Sequence, residues 1–323
     1  MRKPTRRLAI SVAAAPFLAA QKSPPAPKRY PFEYWDAFTD RRFTGNPLAV
    51  FTSADGLSPD QMRSIAGETN LSETTFVFRR PVAEEKARGV RTRIFTPATE
   101  YDFAGHPALG TAFSLWKPGV TRVVLDLNIG PVPVDLRAEG GKLYGVMLQP
   151  QPVLAEVHEP AVIAKLIGLP LSDLDTRYPI QNVSTGRPNL IVMLKSLKAI
   201  RALRIDWNAA ADYFAAGDKA RSFYFLTAET ETGARYHARK LTPRTEDPVT
   251  GSAAGSAIAW LVNHGLAGSG EGIVIEQGSE VSRPGKLYVS AEMTGSSLTD
   301  VQVGGYGVKS WSGEMPAFYT GAA

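Results

Sequence analysis

One glutamate stands where a helix gives way to an apolar strand, in Asn70-Leu71-Ser72-Glu73-Thr74-Thr75-Phe76. A carboxylate desolvated in such a place has a raised pKa and can carry a proton near neutral pH. A strand cap or a surface acid is the other role open to it. His106, between Gly105 and Pro107, opens a run of small residues that reads as a helix. There the helix dipole lowers the imidazole pKa and keeps the ring neutral as a donor, unless it merely caps the helix. Asp247 before Pro248 is first a turn residue, and it could also orient a substrate amine or a histidine. Ser252 lies in Gly251-Ser252-Ala253-Ala254-Gly255, which is not the G-x-S-x-G elbow, so it reads as a hydroxyl donor rather than a nucleophile.

Residues 107–112 (Pro-Ala-Leu-Gly-Thr-Ala) and 252–257 (Ser-Ala-Ala-Gly-Ser-Ala) are alike, and a glycine precedes each. Each run opens a helix of small side chains, the kind that lets other backbone approach and can be buried inside curved sheet. A helix N-terminus carries unsatisfied N–H donors and partial positive charge, so it attracts anions. Two such starts, near Gly105 and Gly251, facing each other across a domain cleft would hold a carboxylate and an enolate-like oxygen together. The same glycines could serve packing and turns alone.

The elements that must position these residues are mostly strands. Short segments rich in β-branched and aromatic residues fall at 32–38, 48–51, 74–78, 90–95, 122–127, 132–136, 143–148, 190–194, 222–227, 272–276, 286–292 and 300–308. Helical patterns are fewer: 61–69, begun by Ser58 as N-cap with Pro59 after it, then 107–116, 160–167, 208–215 and 251–264. Strands and helices do not alternate regularly, so a Rossmann-type sheet is not expected and the class is α+β. The paired small-residue helices imply two related halves, placed at 32–145 and 146–323.

The chain has 323 residues and no cysteine, which removes disulfides, thiolate metal sites and cysteine nucleophiles together. Its net charge is +5, but residues 1–20 hold Arg2, Lys3, Arg6 and Arg7 and no acid, so the remainder is close to neutral and no nucleic-acid partner is expected. Those residues have a basic start and an apolar run of 13 residues, the plan of a secretory signal peptide, followed by a Pro-rich linker at 21–31. A periplasmic location after cleavage follows, or a cytoplasmic one if the start codon is misassigned. The run is too short for a stable membrane span. The four histidines are scattered without ligand spacing, so no metal is expected. There is no Walker loop and no G-x-G-x-x-G after a strand, and no cofactor is expected.

Five stretches occur in order: Asp40–Val50, Asn70–Phe76, Arg93–Pro97, Phe103–Ala112 and Glu246–Ala253. Together they resemble the PhzF-like phenazine-biosynthesis isomerase family, from about residue 32 to Glu314. The resemblance implies a diaminopimelate-epimerase-like fold, in which two pseudo-symmetric halves each wrap a curved, mostly antiparallel sheet around one helix, with the active site between them. It also implies cofactor-free proton transfer on a small carboxylate substrate, and commonly a homodimer. Glu73 then falls on the family's acid/base glutamate, His106 and Asp247 on residues that hold or polarise substrate, and Gly105, Gly251 and Ser252 on its carboxylate site.

Three departures bear on the substrate. The loop Pro243-Arg244-Thr245 is shorter than the family pattern, the run Arg239–Pro243 is more basic, and Ser282 stands where a glycine is usual. Two rivals to the isomerase are an epimerase of an amino or hydroxy acid, which needs two opposed bases, and a binding protein that keeps the pocket without catalysis.

Overall fold

The computed structural model describes residues 28–215, 222–243 and 245–317. The expected leader at 1–20 lies outside the described residues. So does most of the expected linker, whose end does not fit that reading: the strand Arg29–Ala37 begins inside it.

Among the described residues the strands join into one hydrogen-bonded network. Arg29–Ala37 pairs antiparallel with Asn46–Phe51, which runs parallel to Thr74–Phe78. Val90–Phe95 follows antiparallel, Arg122–Leu127 parallel, then Gly130–Glu139 and Lys142–Leu148 antiparallel. The long final strand Ser297–Pro316 pairs with Lys142–Leu148 and with Arg29–Ala37, closing a ring. Helix Gly105–Leu115 lies within it, packed on strands all round.

The second half repeats the plan. Ile180–Ser184 pairs antiparallel with Pro188–Met193, which is parallel to Phe223–Thr227. Tyr236–Leu241 follows antiparallel, Ile273–Gln277 parallel, then Gly285–Thr294 and Ser297–Pro316 antiparallel. The order of pairings matches the first half step for step. Helix Gly251–Asn263 packs on this sheet, and nearly every residue of it is buried, Trp260 fully. A helix apolar on all sides belongs inside a core. Its glycine at 255 is required by close approach, since a Cβ there would lie 1.9 Å from the Gln149 side chain. The α+β class and the diaminopimelate-epimerase-like fold stand.

The expected division at 145 runs through the strand Lys142–Leu148, and the closing strand, assigned to the second half, completes the first as well. In each half a two-residue strand precedes the central helix, and an arginine holds it from the neighbouring strand. Arg93 grips Glu100 with two bonds of 2.8 and 2.6 Å, and Arg239 grips Glu246 with two of 2.9 and 2.6 Å. Among the described residues no helix is long and apolar enough to cross a membrane.

Candidate active site

The central helices point their N-termini at one another. Both start earlier or as early as the sequence pattern suggests, at Gly105 and Gly251, and neither N-cap residue, Ala104 or Thr250, bonds its side chain to the helix. A Cβ on Gly105 would lie 3.2 Å from Ser252 N, and one on Gly251 would lie 3.0 Å from the Phe38 ring and 3.7 Å from His106 N. Glycine at both tips therefore lets two sets of uncapped N–H groups share one cleft, a preformed place for an anion. A cavity of about 900 Å³ opens there, lined by Gly105, His106, Gly251, Ser252, Glu73 and Asp247. The six residues chosen from sequence converge.

Glu73 follows helix Pro59–Thr69, whose C-cap Asn70 is in the left-handed region at φ 50°, and precedes the strand Thr74–Phe78. Its side chain is 13% exposed, and its Oε2, 3.6 Å from His106 Nε2, has no hydrogen-bond partner. Burial, helped by the nearby negative charge of Asp247 and opposed by Arg187, pushes its pKa up to about 8. The carboxyl is therefore largely protonated at neutral pH and close to the range in which it can both give and accept a proton.

His106 lies in the first turn of its helix and is 5% exposed. Its pKa falls to about 3, and the cause is burial rather than the helix dipole expected from sequence; a hydrogen bond to the Pro47 backbone opposes the fall. Nε2 has no partner, so that bond belongs to Nδ1 and Nε2 is left as the bare nitrogen facing Glu73. Unpartnered buried polar atoms cost about 1–3 kcal/mol each, and here two of them stand 3.6 Å apart on the wall of a ligand-sized cavity.

Asn46 ties the halves together. Its amide donates to Asp247 Oδ1 and to the Val249 carbonyl, both at 2.7 Å, and lies 3.3 Å from His106 Nδ1. Asp247 accepts a second bond from Thr250 at 2.9 Å, and Gln277 supports both Asp247 and Thr250 through its side-chain amide. Burial raises the Asp247 pKa to about 6 against the bonds from Thr250 and Asn46 and the charge of Lys240. Hydrogen bonds thus tie Asp247 and Thr250 of the second half to Asn46 of the first, which lies beside His106 and so near Glu73.

The chain matches the profile of the phenazine biosynthesis-like proteins, PhzC-PhzF, over residues 35–313. It belongs to that family. It is 36% identical over 277 residues to the trans-2,3-dihydro-3-hydroxyanthranilate isomerase of Pseudomonas aeruginosa, spanning 84% of this chain and 94% of that one. Among solved structures it is similar to a Bacillus anthracis phenazine biosynthesis protein of the PhzF family, with a TM-score of 0.80, 26% identity and coverage of 89% and 99%. It is also similar to a Pseudomonas aeruginosa protein described as a predicted epimerase, with a TM-score of 0.74, 30% identity and coverage of 88% and 99%. The protein is an isomerase.

In this PhzF-family isomerase the cleft contains residues to which the sequence reading gave no role. Asn46 and Lys240 lie in runs singled out above and Arg187 does not, but all three act through neighbours distant in the chain, so the sequence showed no role for them. Lys240, on the strand Tyr236–Leu241, is directly paired with Asp247, and its ammonium reaches Asn189 and Ser222. Away from the cleft, Glu231, His237 and Glu276 converge although the histidines are scattered in sequence. Both His237 nitrogens face carboxylates, Glu276 at 3.0 Å and Glu280 at 3.2 Å. Burial alone would lower the His237 pKa, but the bonds to Glu280 and Glu276 outweigh it and raise the value. Glu276 also accepts from the backbone of Glu231 and Thr232, so the group holds that loop to the sheet.

Proposed function

We propose that the enzyme moves a proton between carbons of a small carboxylate substrate without a cofactor, using Glu73 as its acid/base group. The observation that carries this reading is the unpartnered Glu73 carboxyl, 3.6 Å from a neutral His106, above two uncapped helix tips. The substrate carboxylate rests on the N–H groups at Gly105 and Gly251 with the hydroxyl of Ser252. The ionised Glu73 removes a C–H proton next to an activating group, and the electron pair moves into the substrate's π system. The same carboxyl, now protonated, returns that proton to another carbon. The N–H groups at the helix tips stabilise the charge that develops, worth roughly 3–4 kcal/mol per well-placed donor.

An epimerase needs a second base on the opposite face. By strand register the position matching Glu73 in the second half is Ser222, which is not an acid, so transfer and return on one face suits this site better. The name of the Pseudomonas aeruginosa relative makes cyclic amino-carboxylates the first compounds to try, while the short basic loop after Arg239 argues for a different member of that class.

The test is solvent deuterium incorporation into a panel of cyclic and amino-acid carboxylates by the wild type and by Glu73→Gln. Exchange is expected in the wild type and should fall by at least about 10²-fold in the variant. Exchange that survives the substitution would show that another group is the base.

A further inference from the structure

The pseudo-symmetry puts different side chains at equivalent places on the two walls of the cleft, and both cations fall on the second. Successive strand partners Ala49, Thr74, Phe95 and Glu100 in the first half match Leu190, Phe223, Leu241 and Glu246 in the second. By the same steps along the chain Glu73 corresponds to Ser222, Asn46 to Arg187, Ile94 to Lys240 and His106 to Ser252. The first-half wall therefore carries the Glu73 carboxyl, the imidazole and the Asn46 amide. At the equivalent places the second-half wall carries two hydroxyls and two cations, with Asp247 beside them where the first half has Tyr101.

Among the described residues neither cation has an acid in bonding contact, and Asp247 acts on Lys240 only through its charge. Lys240 is 7% exposed, and its ammonium donates to Asn189 Oδ1 and to Ser222 Oγ, both neutral acceptors. An ammonium has three N–H donors, so one remains unspent. Arg187 is half-buried, its guanidinium 4.2 Å above the Tyr101 ring. Among the described residues no carboxylate forms an ion pair with either side chain. The acids that face them are Glu73, kept largely neutral by burial, and Asp247, whose oxygens are taken by Asn46 and Thr250. Burial lowers the Lys240 pKa to about 7; the charge of Arg187 adds to the cost of holding this cation out of water, and the charge of Asp247 only partly offsets it. An anion arriving with the ligand removes that cost. Lys240, Arg187, Asn189 and Ser222 line the same cavity as Glu73 and the helix tips.

We propose that Lys240 and Arg187 form a second anion subsite, so that the substrate is a diacid, with one carboxylate on the helix N-termini and its other acidic group on these two cations. The proposal rests on the proton-transfer reading for the placement of the reacting carbon between the two acidic groups. The subsite itself is a statement about binding and is tested as such.

Calorimetric titrations at pH 7 and fixed ionic strength compare isophthalate with benzoate and glutarate with butyrate. In the wild type at least one diacid is expected to bind about tenfold or more tightly than its monoacid partner, the scale of a charge-assisted hydrogen bond. That ratio should collapse toward one in Lys240→Met and fall in Arg187→Gln, which lies nearer the surface and keeps the test decisive if the buried substitution disturbs folding. A wild-type ratio near one, no measurable diacid binding, or a ratio that survives both substitutions overturns the proposal. The same titrations on Glu73→Gln should preserve the ratio. A preserved ratio with no deuterium exchange in any enzyme would sink the catalytic reading and leave the subsite standing.

Discussion

Glu73 is a carboxyl that the fold prefers uncharged, and that preference is measurable apart from any substrate. Its pKa rises from 4.5 to about 8 on folding, so the native state binds its proton more tightly than the unfolded chain does. The stabilisation is complete below pH 4.5 and is lost as pH rises through 8. Glu73→Gln carries no such penalty. Its stability relative to wild type should therefore climb across that interval, by at most a few kcal/mol, and level off above it. Urea unfolding of both proteins from pH 5 to 9 reads this, and a difference independent of pH would contradict it. Glu73, His106 and Asp247 were legible because each sits in a local setting that changes its chemistry: a helix-to-strand passage, a helix start and a turn before proline. Asn46 was not legible, since its role exists only where Asp247, Val249 and His106 meet in space. The effect on His106 was foreseen with the wrong cause, because a dipole can be read from a helix start whereas burial depends on the whole core.

At the scale of elements, the two-residue strand Glu246–Asp247 is the most exacting piece of the site. Two residues of strand supply little pairing of their own, so the fork from Arg239 to Glu246 fixes where Asp247 stands. Both partners are largely buried, at 13% and 10% side-chain exposure. Arg239→Met leaves Glu246 buried without its partner and should cost about 3–5 kcal/mol in urea unfolding. The matching change in the first half, Arg93→Met, should cost less because Arg93 and Glu100 are more exposed, at 21% and 24%. A smaller loss at Arg239 than at Arg93 would refute this ranking. The strand that carries Arg239 escaped the sequence reading. Tyr236–Leu241 holds a histidine, an arginine and a lysine, which look like loop chemistry until each is seen bound: His237 to two glutamates, Arg239 to Glu246 and Lys240 to Asn189 and Ser222. Ser282 is the reverse case. Its φ of 58° places it in the left-handed region, the conformation that favours the glycine expected there from the resemblance.

For the whole molecule, the repeated small-residue helices did foretell a duplicated architecture, because their composition reports burial inside curved sheet. The point of division could not be read from them, since it depends on pairings between the two ends of the chain: Arg29 with Pro316, Phe32 with Gly313 and Ala37 with Gly307. A chain ending at residue 296 is expected to yield no native-like domain by circular dichroism and limited proteolysis, even though every first-half candidate for catalysis is retained. A stable, protease-resistant first half in such a truncation would show that the ring does not depend on its last strand. The dependence also sets a timetable. The stave that closes the first ring leaves the ribosome only after every other strand of the second half. Until then Arg29–Ala37 and Lys142–Leu148 each keep an open edge, the kind of surface that recruits other chains. The first half is thus built early and finished late, and synthesis of this enzyme carries an interval of exposure that a fold with self-contained halves would avoid.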